Sequence, residues 1–172
     1  PMTWMEALND LRSMPEIRDR YQFWFYLYPT GGSFWESAAD LRDELARTRH
    51  IFDPDRKQPE FDQMVVVGHS MGGLLARLTS LKSGDRFWKA VSDTPFEQVS
   101  APPGVKRQLQ RAYFFEPVPE VRRVVTIASP HRGAGEQNPL YRNLLRGVVS
   151  LPERTARVGR ELLAGDKPIF RD

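Results

Sequence analysis

The chain has 172 residues, 40% apolar and 27% charged, a balance that suits one folded globular domain and excludes a disordered chain or a fibrous repeat. Its net charge of +3 comes from 25 basic and 22 acidic residues that lie intermixed, as in DLRDELARTR at 40–49. That pattern is a solvated face, not the one-sided basic cluster of a nucleic-acid site. With no cysteine there is neither a disulfide nor a thiolate zinc site, and no apolar run reaches the roughly 20 residues of a membrane helix. No signal peptide is visible, and compartment and oligomeric state stay open.

Thr3 and Glu6 form a capping-box pattern in TWMEALNDL, which predicts a helix starting almost at the first residue. Residues 21–28, YQFWFYLY, are an aromatic run ended by PTGG and long enough for a buried strand. Ser33 and Glu36 repeat the capping-box pattern, and Phe34, Ala38, Leu41, Leu45 and Ala46 follow at helical spacing, predicting a second helix. DPDRKQPEFDQ is a proline-punctuated loop, and MVVV at 64–67 reads as a strand of the kind covered on both faces. A helix from about Met71 then carries Leu74, Leu75, Leu78 and Leu81 on one side. RRVVTIAS at 122–129 predicts a third strand, and NPLYRNLLRGVVSL and PERTARVGRELLAG predict two more helices.

Strands alternating with helices predict an α/β fold with right-handed crossovers, a mostly parallel sheet and helices on both faces. One interval is too long for a simple connection: residues 83–120 spend about 40 positions before the next strand, as an inserted subdomain or lid does. Its aromatics, Phe87, Trp88, Phe96, Tyr113, Phe114 and Phe115, either face an apolar substrate or pack a small satellite core.

The densest chemical signal is Gly68-His69-Ser70-Met71-Gly72, a G-x-S-x-G pattern with a predicted strand before it and an amphipathic helix after it. Such a strand-to-helix turn strains the serine backbone and lifts its hydroxyl above the strand ends. Side chains two positions either side would collide with neighbouring backbone, so Gly68 and Gly72 are expected to remove them, with Gly73 letting the helix approach the sheet. The same turn aims the Met71 amide at the reacting centre as an oxyanion donor. Tyr28, Pro29 and Thr30, at the end of the aromatic run, either approach that pocket or form a plain strand-ending turn.

A serine needs a base, and the base needs an orienting acid. The chain offers only His50, His69 and His131. His50 ends a helix ahead of the serine, and His69 adjoins Ser70 and points elsewhere across the turn. His131 follows the third strand at the edge where ligands gather in such folds, as a pocket-lining group or a base. Asp166, Asp172, Glu136 and Glu153 close no strand that would present them as the acid.

VVVGHSMGGLLAR followed by VVTIASPHRG resembles the lipase and esterase branch of the α/β-hydrolase superfamily, in particular bacterial lipase-like proteins of the GPI inositol-deacylase-like group. The likeness spans roughly residues 1–150, and FWFYLYPTG is compatible with it. It implies that residues 1–172 form a single partial domain, the central part of an α/β-hydrolase fold, with 83–120 as a lid-like insertion. It further implies that His131 lies in a loop beside the site, that the catalytic histidine and acid lie beyond Asp172, and that the second oxyanion donor lies before Pro1. The implied activity is serine carboxylester hydrolysis of a small-molecule or lipid ester through an acyl-enzyme on Ser70, without metal or organic cofactor. An acyltransferase on the same scaffold and a catalytically silent hydrolase-like binding module are the competing readings.

Overall fold

A computed structural model of the chain describes residues 2–29 and 33–131. The two helices expected within 138–165 lie outside the described residues, as does Thr30. The architecture is mixed α/β: helices α1 (Met2–Ser13), α2 (Pro15–Arg18) and α3 (Phe34–Phe52) precede strand β1 (Met64–His69), and α4 (Met71–Arg77), α5 (Arg86–Val91) and α6 (Pro103–Tyr113) precede strand β2 (Val121–Ile127).

Capping chemistry sets α3 at both ends. At its start the Ser33 hydroxyl accepts a hydrogen bond from the Glu36 amide at 3.4 Å, as the sequence predicts. At its end the buried Asp53 carboxylate accepts the amides of Lys57 at 2.7 Å and Gln58 at 3.0 Å and pairs with Arg49 at 3.2 Å. Burial pushes the Asp53 carboxyl up, but the two amide bonds and the charges of Arg49 and Arg56 outweigh it and hold the group below its usual range. Helix α1 departs from expectation, because it already includes Met2 and Thr3, so Thr3 lies inside the helix and not at its cap.

β1 and β2 are parallel neighbours, with Val66 beside Val124, Gly68 beside Thr126 and His69 beside Ile127, and α4 packs on both strands. The valine run is not sheathed on both faces among the described residues. Val65, Val67, Val125 and Ile127 share the face away from α4 and are 41% to 46% exposed. The expected helices on both faces are thus seen on one.

The strand expected at 21–28 is not formed, since the sheet among the described residues has only β1 and β2. Side-chain contacts hold this segment instead: Tyr26 Oη donates to the Ser37 carbonyl at 2.9 Å, the Tyr26 and Tyr28 rings stack at 5.8 Å, and Trp24 meets Phe52 edge-on. An aromatic run has the composition of a strand, but without a neighbouring backbone to complete a ladder it is not one.

Two apolar clusters lie behind the sheet. Phe34, Ala38 and Leu41 of α3 meet Leu75 and Leu78, with Leu74 and Leu81 against them; α4 stops at Arg77, so Leu78 caps the helix and Leu81 reaches the cluster from the loop beyond it, and the expected helix is shorter than its leucine spacing predicts. The second cluster belongs to segment 83–120 and joins Trp88, Val99, Val105, Leu109, Ala112 and Tyr113. The aromatics of that segment therefore pack on one another, as Phe96 on Phe114 at 4.8 Å and Trp88 on Tyr113 at 5.6 Å illustrate. Its two stems are clipped together, because buried Ser83 accepts the Phe115 amide at 2.7 Å and the Ser83 amide donates to the Phe115 carbonyl at 3.0 Å. Arg42 of α3 fastens this layer to the rest: it stacks over the Phe115 ring at 3.7 Å and donates to the Arg111 carbonyl at 2.9 Å. Burial lowers its guanidinium to about 10.

Candidate active site

β1 ends at His69, α4 begins at Met71, and Ser70 makes the whole turn between them with φ 53° and ψ −123°. A serine with positive φ is strained, because its Cβ crowds the backbone that glycine would leave open. Ala128, just after β2, is also at positive φ, 49°. The two strained residues sit at the same carboxyl edge, and the Ser70 amide donates to the Ile127 carbonyl at 2.9 Å.

The glycines divide their work differently from the sequence expectation. A Cβ on Gly68 would overlap the Gly72 carbonyl and stand 2.5 Å from the Gly73 nitrogen, so no side chain fits there. A Cβ on Gly72 would meet only the Tyr28 hydroxyl, at 3.5 Å, an ordinary contact. The second position that excludes a side chain is Gly73, where a Cβ would overlap Ser129 Oγ and lie 2.9 Å from Ser129 Cβ. Gly73 thus does bring the helix close to the sheet, its Cβ position lying 3.0 Å from the Gly68 carbonyl of β1, and it comes closest to the loop after β2.

Ser70 is partly exposed, and its hydroxyl caps none of the α4 amides. Met71, the first residue of α4, has no intrahelical acceptor for its N–H, which leaves that donor available beside the serine. The Ser70 side chain is therefore presented at the sheet edge with a hydrogen-bond donor next to it. An oxygen that develops negative charge at this place would find that donor preorganised.

The three histidines are well separated in role. His50 is exposed in the last turn of α3. His69 shares the exposed sheet face with Val65 and Val67, so it turns away from α4. His131 is exposed beyond β2, with Nε2 2.9 Å from Thr126 Oγ1, and Thr126 sits opposite Gly68 in the ladder. The structure thereby places His131 at the same edge as Ser70, with its ring engaged by Thr126. Among the described residues no histidine or carboxylate hydrogen-bonds the Ser70 hydroxyl. Glu136, Glu153, Asp166 and Asp172 lie outside them.

Tyr28 is brought to the elbow and is half-buried beside α4, whereas its companion Thr30 is not described. Ser129 and Ala128 are the site residues that sequence reasoning missed. The only sequence trace of them is the ASPHRG turn, which follows β2 but does not reveal which helix it meets. No group of histidines and carboxylates suited to a metal ion occurs among the described residues. No helix there is long and apolar enough to cross a membrane. Comparison with family models, curated proteins and solved structures finds no match.

Proposed function

We propose that this chain carries the nucleophile of a serine carboxylester hydrolase, lipase- or esterase-like, on an α/β-hydrolase-type sheet. The supporting observation is the backbone of Ser70: a non-glycine residue at φ 53° between a parallel strand and a helix, with side chains sterically barred at positions 68 and 73. Strain of this kind persists only where the surroundings over-determine it, and it concentrates at reacting groups.

In the proposed reaction a histidine base takes the Ser70 proton as Oγ attacks the ester carbonyl carbon. The carbonyl π electrons move to oxygen, which the Met71 amide stabilises. Collapse of the tetrahedral intermediate breaks the bond to the alcohol, which leaves with the proton held by the base. Water then attacks the acyl-enzyme by the same steps in reverse roles and frees the carboxylic acid. On this proposal the base is a histidine held in place by a carboxylate.

The test is made on the full-length protein with p-nitrophenyl butyrate and a fluorophosphonate probe. Wild type is expected to hydrolyse the ester and take the label at Ser70, and Ser70→Ala is expected to do neither. Undiminished labelling of Ser70→Ala would remove the nucleophile assignment. A wild-type protein inert in both assays would leave the binding-module reading in its place.

A further inference from the structure

Two tyrosines lie side by side on the segment before α3, and they use their hydroxyls differently. Tyr26 spends its proton on the Ser37 carbonyl at 2.9 Å. Tyr28 stacks on Tyr26, with rings 5.8 Å apart and 21° from parallel, and packs against the Phe34–Leu75 cluster. The ring is thus held from two sides, yet among the described residues no acceptor takes the Tyr28 hydroxyl proton. Half-buried tyrosines ordinarily find a partner for that group, so among the described residues this one is a positioned donor with nothing to donate to.

Its location gives the unspent donor a use. The Tyr28 oxygen lies 3.5 Å from where a Gly72 Cβ would stand, hence within about 5 Å of the Gly72 Cα, one residue past the Met71 amide. The glycine at 72 is not demanded by backbone crowding, since an added methyl would make only an ordinary contact with the phenol. Its absence of side chain keeps the space between the phenol and the elbow open. Burial raises the phenol pKa, so the group keeps its proton and remains a donor at neutral and mildly alkaline pH.

We propose that the Tyr28 hydroxyl is the second hydrogen-bond donor to the carbonyl oxygen of the ester, acting with the Met71 amide. The proposal rests on Ser70 being the nucleophile. The donor is carried on the chain segment that packs against the elbow helix. In the tetrahedral intermediate the phenol O–H bonds the new oxyanion and returns to its unpartnered state when the carbonyl re-forms, so no proton leaves the tyrosine.

The experiment compares wild type, Tyr28→Phe and Ser70→Ala in the full-length protein. Phenylalanine keeps the ring stack and removes only the hydroxyl, so the melting temperature should stay within about 2 °C of wild type. Removing one oxyanion donor should lower kcat for p-nitrophenyl butyrate about 100-fold and leave KM within about twofold. Inhibition by butylboronic acid, which forms a tetrahedral adduct on the serine, should weaken in parallel with kcat/KM, a change that a merely structural tyrosine would not produce. Wild-type kcat and boronate affinity in Tyr28→Phe, with Ser70→Ala inactive, would overturn the role of Tyr28 and leave the nucleophile standing. Activity that survives Ser70→Ala would overturn both.

Discussion

Ser70 adopts φ 53° without the freedom of glycine, a conformation whose strain is on the order of 1–3 kcal/mol. The surrounding glycines make it tolerable, but not in the way spacing alone suggests. Gly68→Ala places a methyl into the Gly72 carbonyl, a backbone group that cannot swing aside, and should destabilise the protein by about 2 kcal/mol in a urea titration. Gly72→Ala meets only the Tyr28 hydroxyl and replaces a poor helix former near the start of α4, so its stability should equal or slightly exceed wild type. The G-x-S-x-G spacing made the serine legible because it encodes a steric requirement. Which glycine met which neighbour was not fully legible, because the tightest crowding at Gly73 comes from Ser129, and nothing in local sequence links the two.

Among the elements, α3 carries polar contacts at both ends besides its apolar stripe. Asp53 holds its carboxyl below the ordinary range through the Lys57 and Gln58 amides despite burial. A depressed carboxyl stabilises the fold above its unfolded pKa, and that contribution is lost as pH falls through the lower, folded value. Wild type should therefore lose more of its melting temperature between about pH 5 and about pH 3 than Asp53→Asn does, and parallel curves would contradict the assignment. The elements that sequence patterning located correctly, α3, β1, α4 and β2, each carry a local signature: a cap, a β-branched run or a leucine repeat. The segment 21–28 does not follow its composition, because a strand exists only with a partner, and partners are set by distant chain. The cover expected on both faces of the valine run fails for the same reason.

At the scale of the whole molecule, the apolar interior among the described residues is two clusters joined by shared aromatics. Trp35 and Phe87 pack against both, and Trp35 touches Phe34, Phe87 and Tyr113 at ring separations of 5.1 to 5.3 Å. Trp35→Ala should lower stability by about 3 kcal/mol and leave the 83–120 layer melting ahead of the α3–α4 core. Trp35→Phe should recover most of the loss. A single, unbroadened transition at wild-type denaturant concentration would show that the clusters do not depend on this residue. The mixed α/β character was readable from alternation of patterns, whereas the joint between clusters was not, since Trp35 looks the same in sequence whether it lines a pocket or packs a core.

The fit of Gly73 against Ser129 locks the first turn of α4 to the loop that ends β2, and Ser70 is further tied to that strand through the Ile127 carbonyl. The Ser70 hydroxyl is thereby mounted on a stiff anvil shared by both strands. Any movement in the surroundings of this turn must then come from the segments packed around it, and Ser70 itself stays put.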